Sequence, residues 1–161
     1  MKDFIQKDFG ASLSKRRRSL KKSQPEIIAV GALIYCTTTK RALFMLRDQD
    51  TYSGCWGLVG GRANAGETAL QALYREAREE TGYKIIFDKI IPLELYQSSD
   101  QHFTYHTFVC QVDSEFAPVL CTEHSGYAWA PLSNAPRPLH PGLYNSLNSN
   151  IIQQKIAVLA D

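Results

Sequence analysis

Glu76, Glu79 and Glu80 crowd together near the end of residues 61–83, GRANAGETALQALYREAREETGY, where a glycine turn leads into a helix-forming run. At about 100° per residue, Glu79, Glu76 and Glu80 fall near 180°, 240° and 280° on the helical wheel, a single stripe about a quarter-turn wide. Like charges at i,i+3 and i,i+4 each cost roughly 0.2–0.5 kcal/mol. A divalent cation among them reverses that sign, and hard oxygen donors suit Mg²⁺ or Mn²⁺ bridging carboxylates to substrate phosphates. Arg75 stands beside the acids and can hold a carboxylate in place. The alternative is a solvated helix face with intrahelical pairs to Arg75 and Arg78.

The elements that must carry these groups follow from pattern. Leu70, Leu73, Tyr74 and Ala77 fall between about 300° and 40° on the same wheel, an apolar stripe to bury, set apart from the anionic one. The helix is expected from about Glu67 to Thr81, with Gly82 as its stop. Ahead of it, residues 27–35 and 42–47 read as a hairpin closed by Thr37-Thr38-Thr39-Lys40, followed by a long loop at 48–64 holding a short strand at 56–59. Strands are expected at 84–96, 103–112 and 127–132. In the second of these, Phe103, Tyr105, Thr107 and Val109 alternate with Thr104, His106, Phe108 and Cys110. A helix is expected at 142–159. Strands on both sides of one central helix, with another helix last, predict an α/β sandwich.

The chain has 161 residues, 44% hydrophobic and 21% charged, which suits one folded domain. The core is expected at 26–161, behind a basic arm at 1–25 that carries Lys15, Arg16, Arg17, Arg18, Lys21 and Lys22. A net charge of +2 gives no case for a polyanion over the whole surface. The four cysteines have no CxxC or zinc spacing and read as reduced thiols, placing the chain in the cytoplasm. The longest apolar run, 27–36, is about half the length of a membrane-spanning helix, so no membrane segment is expected.

Gly61 and Gly66 nearly spell a phosphate-binding P-loop, but Glu67 stands where its lysine must be, and that reading fails. The pattern Gly61, five residues, Glu67, seven residues, Arg75-Glu76-Ala77-Arg78-Glu79-Glu80-Thr81-Gly82-Tyr83 resembles the signature of the Nudix hydrolases, with every fixed polar and glycine position filled. Trp56-Gly57-Leu58-Val59-Gly60 resembles the approach to that signature, except that Val59 replaces a common proline. The resemblance covers roughly residues 26–157. It implies a three-layer α/β/α sandwich with a mixed sheet, and attack of water on phosphorus in a nucleoside diphosphate linked to another group. It further implies Mg²⁺ or Mn²⁺ held by Glu76, Glu79, Glu80 and the Gly60 carbonyl, with Arg75 and Glu67 supporting the carboxylates. Glu76 is a ligand or orients the water.

The general base in such proteins often lies outside the signature, and Glu123 and His124 are the candidates, with Glu123 preferred. Substrate contacts are expected from Arg47, for a phosphate, and from Tyr96, Phe103, Tyr105, Trp129 or His124, although aromatics on strands more often belong to the core. Ser99 stands where enzymes resembling ADP-ribose pyrophosphatases tend to carry a proline, and Asp100 and Gln101 where dinucleoside-polyphosphate enzymes tend to carry a tyrosine, so both markers are absent, which excludes neither substrate. His124, Tyr127 and Trp129 point towards nucleotide sugars or ADP-ribose. Two rivals stay open: the basic arm suits pyrophosphate removal from an RNA 5′ end, and some Nudix-like domains bind nucleotides without cleaving them. Many relatives form homodimers, and no residue pattern here decides that question.

Overall fold

The centre of the fold is β1 (Ile27–Cys36), whose run of apolar residues is buried on both faces over most of its length. Such a strand needs layers on either side. A computed structural model describes residues 26–49 and 52–160, and the arm expected at 1–25 lies outside the described residues. β1 runs parallel to β6 (Phe103–Val112) along its whole length. Its other edge is shared by β2 (Arg41–Arg47), at Tyr35 and Cys36, and β4 (Val59–Arg62), at Ala29 to Ala32. β2 also pairs with β3 (Trp56–Gly57) and β7 (His124–Ala130), while β5 (Lys89–Gln97) lies antiparallel on β6. The result is one mixed sheet of seven strands.

Alternate side chains feed two cores. Val30, Ala32, Ile34 and Cys36 join Leu43, Met45, Phe108 and Cys110 under α1 (Ala69–Thr81), which contributes Ala72, Leu73 and Ala77. Leu33, Tyr35, Phe44 and Val109 face the other way, against Leu143 of α2 (Pro141–Leu147) and Ile152 of α3 (Asn150–Ala160). This is the expected α/β/α sandwich. Cys36 and Cys110 are buried, and all four cysteines are free thiols. Among the described residues no helix is long and apolar enough to cross a membrane.

Several expected boundaries move, each for a local reason. α1 starts at Ala69 because Thr68 caps it: the Thr68 hydroxyl accepts from the Gln71 N–H while the Gln71 side chain accepts from Thr68 N–H. Gly82 ends the helix as expected, in the left-handed conformation at φ 74°. The strand expected at 84–96 begins only at Lys89, since Phe87 turns inward to the core under α1 while Ile86 is left 83% exposed. The strand expected at 56–59 is interrupted at Leu58 and resumes as β4. The one expected at 127–132 spans His124–Ala130. The terminal helix is broken at Asn148 and Ser149 into α2 and α3.

The wheel of α1 needs the largest correction. Leu70 and Tyr74 are each 47% exposed, whereas the buried face consists of Ala72, Leu73, Ala77, Glu80 and Thr81. The anionic and apolar stripes are therefore not separate. Glu80, 3% exposed, belongs to the face that packs on the sheet.

Candidate active site

Two glycines of β4 bring the sheet and α1 close enough for this to happen. Gly60 faces Gly31 across the ladder, and a Cβ on it would stand 2.0 Å from the Val30 carbonyl oxygen. A Cβ on Gly61 would stand 2.5 Å from Glu76 Oε1. The missing side chains are thus the space into which the Glu76 carboxylate and the neighbouring strand fit. The Gly60 N–H donates to Glu80 Oε2 at 3.1 Å. Val59, in place of a proline, is fully buried and pairs with Ala32 as an ordinary strand residue.

Arg75 uses all five of its donors, four of them on carboxylates. Its Nε and Nη2 bond the two oxygens of Glu67 at 2.8 and 2.9 Å, and Nη2 also bonds the Arg62 carbonyl at 2.8 Å. Its Nη1 reaches Glu76 Oε1 at 2.8 Å and Glu79 Oε2 at 3.0 Å. Glu67 in turn accepts from the Asn64 N–H at 2.8 Å. The two-pronged grip of Arg75, then the Asn64 amide, hold Glu67 below the usual carboxylate range. The clamp ties the turn before α1 to the helix itself, through Glu67 on one side and Glu76 and Glu79 on the other.

The remaining electrostatics are those of carboxylates forced together. Burial pushes Glu80 up to about 9, with the charges of Glu76 and Glu123 adding to the effect and the Gly60 amide and Arg47 opposing it. Glu76 is also raised, by burial first and then by Glu79 and Glu123 against the pull of Arg75. Glu123, in the loop ahead of β7, is thus brought within electrostatic reach of both α1 carboxylates. Its carbonyl accepts from the Asp48 N–H at 2.9 Å, which fixes the loop to the end of β2.

Among the described residues, no three His, Cys, Asp or Glu side chains already surround a common ligating point. Arg75 draws Glu76 and Glu79 onto itself, and in these bonds one oxygen of each, and one of Glu80, stays uncommitted. The donor set fits a hard divalent cation: oxygen ligands only, with Glu80 buried and both Glu76 and Glu80 raised by burial and by neighbouring carboxylates.

The second candidate base is placed differently. His124 is the first residue of β7, 6% exposed, with Nδ1 3.7 Å from the Cys121 sulfur. Burial and the nearby Arg47 charge lower it to about 4, so it is neutral at pH 7 and a weak proton acceptor. Trp129 donates its indole N–H to the Phe116 carbonyl at 2.8 Å and packs edge-on against Phe116, in the core beneath α1. Tyr96 is 56% exposed and lies against Phe103, outside the carboxylate cluster.

Arg47 sits where the β2–β7 ladder slips, with its main chain bonded to Cys55 and Gly54. Its Nε is buried without a hydrogen-bond partner among the described residues. Its charge reaches Glu80, Tyr105, His124 and His140. The Tyr105 hydroxyl lies over Gly31, 2.4 Å from where a Cβ would be. His140 was not legible as part of this neighbourhood, and only its place in Leu139-His140-Pro141, ahead of the last helices, could have drawn notice.

A model of the NUDIX domain matches residues 25–149. Over 122 residues the chain is 30% identical to a dihydroneopterin triphosphate diphosphatase of Haemophilus influenzae, covering 66% of this chain and 75% of that protein. It is 27% identical over 118 residues to a putative 8-oxo-dGTP diphosphatase of Bacillus subtilis, covering 73% and 76%. The fold matches the NUDIX domain of Shewanella oneidensis NrtR, solved with ADP ribose, at a TM-score of 0.67 and 18% identity over 89% of this chain and 94% of that one. With this match over most of its length and the signature residues assembled around Arg75, the chain belongs to the NUDIX family of hydrolases that act on phosphoric anhydride bonds.

Proposed function

We propose that the protein hydrolyses a nucleoside diphosphate linked to another group, with Mg²⁺ or Mn²⁺ held by Glu76, Glu79 and Glu80 together with the Gly60 carbonyl. The observation that carries this reading is the buried Glu80 carboxylate set beside Glu76 and Glu123, an arrangement unfavourable by itself and favourable around a cation. The bound cation supplies Lewis-acid polarisation of the phosphate and lowers the pKa of a ligated water. Arg75 restrains Glu76 and Glu79 in the substrate-free state, which limits the reorganisation that cation and substrate must bring about. Glu123 takes the proton of the attacking water, a role that buried, neutral His124 is poorly suited to fill. Arg47 receives a phosphate on its guanidinium.

Within this substrate class, triphosphates of a base or pterin come first, in which the other group is a phosphate. The two diphosphatases resembling this chain support that choice. ADP-ribose and nucleotide sugars, favoured by the residues following the Glu123 loop, form the second arm of the test. The test is a substrate panel with Mg²⁺ or Mn²⁺, comparing the chain with its Glu79→Gln and Glu80→Gln variants. Hydrolysis that needs the cation and falls by about a hundredfold or more in both variants is expected, in line with removal of a transition-state charge partner. Turnover without metal, or full activity in both variants, overturns the mechanism. Hydrolysis in ¹⁸O-labelled water then shows which phosphorus is attacked.

A further inference from the structure

His140 has no part in the carboxylate cluster, yet the structure constrains it closely. Its Nδ1 accepts a hydrogen bond from the Gly142 N–H at 3.1 Å. In a neutral imidazole that leaves the proton on Nε2, so the free nitrogen is a donor and not an acceptor. The ring is held edge-on by Tyr52, with centroids 4.4 Å apart. Half-burial and the Arg47 charge both lower its pKa, which favours the neutral ring.

The backbone places this donor relative to Arg47. Arg47 N–H bonds the Cys55 carbonyl at 3.0 Å, Trp56 N–H bonds Pro138 at 2.8 Å, and His140 N–H bonds Trp56 at 2.8 Å. Arg47, the 55–57 segment and the 138–140 segment are therefore three neighbouring extended chains, with the outer two about 10 Å apart. Gly57 lies in the middle chain and has no side chain to fill the space above it. The Arg47 stem leans over that glycine, with Cδ 3.7 Å from where a Cβ would stand. On one side is a buried N–H without a partner, and on the other an imidazole N–H held in one tautomer. Two donors carried on neighbouring chains suit a ligand that presents acceptors to both.

We infer that His140 is a specificity-determining residue, which donates from Nε2 to a carbonyl oxygen or ring nitrogen on the substrate's base while Arg47 holds its phosphate. This rests on the proposed hydrolysis of base-bearing nucleotides and names the part of the substrate that the chain reads. A ring edge offering only donors leaves the His140 N–H unpaired and is selected against.

The experiment compares the full-length chain with His140→Phe, which keeps an aromatic ring against Tyr52, and His140→Asn, which keeps both an acceptor for Gly142 and an amide donor. The probes are GTP, 7-deaza-GTP and inorganic triphosphate, the last having no base. KM for GTP rises about three- to tenfold in His140→Phe, the size of one neutral hydrogen bond, with kcat within twofold and partial recovery in His140→Asn. Inorganic triphosphate is handled alike by all three proteins. 7-Deaza-GTP shows whether N7 or the carbonyl is the acceptor: a wild-type KM above that for GTP points to N7, and an equal one to the carbonyl. An unchanged KM for GTP, or an equal loss with inorganic triphosphate, overturns the assignment. Should the wild type cleave none of these, the triphosphate arm of the proposed function fails by itself, and equilibrium binding of the same ligands decides the subsite by the same criterion. Nitrogen-15 shifts of His140 in the free protein report the tautomer, and a proton on Nδ1 at pH 7 also overturns the assignment.

Discussion

Two arginines serve the carboxylate cluster in opposite ways. Arg75 spends every donor on the protein itself, on Glu67, Glu76, Glu79 and the Arg62 carbonyl. Arg47 leaves its Nε buried without a partner among the described residues. A satisfied guanidinium fixes geometry and stabilises the fold. One left unsatisfied costs stability, which is regained only when something else supplies the acceptor. The same cation thus acts as scaffold at one place and as receptor at the other, and substitutions should separate the two roles.

The largest effect is expected from Arg75→Ala, which leaves three carboxylates without their clamp. Stability should fall by about 2–3 kcal/mol, less than for a fully buried pair because the side chain is a quarter exposed, and kcat should fall by about two to three orders of magnitude. Arg75→Lys should not restore activity, since an ammonium cannot grip Glu67 from two directions. Denaturant unfolding and steady-state kinetics check both statements.

Arg47→Ala should show the reverse pattern. KM rises about 10- to 100-fold, as for a lost charged hydrogen bond, while the unfolding midpoint stays level or increases. The substitution should also let His124 and His140 titrate at higher pH, because the Arg47 charge is one cause of their lowering. An NMR pH titration of the ring protons reads this directly. A loss of stability matching that of Arg75→Ala would erase the distinction.

A smaller effect follows from Glu80. Its folded value of about 9 lies above the ordinary 4.5, so the native state holds a proton that the unfolded chain gives up. The stability this contributes is complete below about pH 4.5 and is lost as pH rises through about 9. Unfolding midpoints in EDTA should therefore decline from pH 6 to 9. Glu80→Gln should flatten that decline, and added Mg²⁺ should reverse it. His124 has the opposite sign and gives the smallest effect: lowered to about 4, it contributes stability that is lost as pH falls from about 6.5 towards 4. His124→Gln should remove only that acid-side loss.

The helix, its stop at Gly82 and the pairing of Arg75 with a neighbouring carboxylate were legible from spacing, whereas the part of Glu67 came only through the resemblance to the Nudix signature. The burial of Glu80 was not, because a wheel sorts residues by type, and a carboxylate falls on the wet side by default. What reverses that assignment is Gly60, whose missing side chain and free N–H belong to another element 20 residues away. The terminal helix shows the same limit. Apolar periodicity continues through Asn148 and Ser149, while the chain turns there so that Leu143 and Ile152 can share one core. His140 joins the Arg47 neighbourhood through a chain pairing at Trp56 and Leu139 that no local pattern announces.

The central claim, that the α1 carboxylates form a cation site held by Arg75 and independent of Arg47, is tested most directly by titrating Mn²⁺ into the substrate-free protein with paramagnetic resonance detection. The account predicts an affinity within a few-fold of wild type for Arg47→Ala, whose charge acts on Glu80 only at a distance, weaker binding in Arg75→Ala, and at least a tenfold loss in Glu80→Gln. Unchanged Mn²⁺ affinity in Glu80→Gln would contradict it.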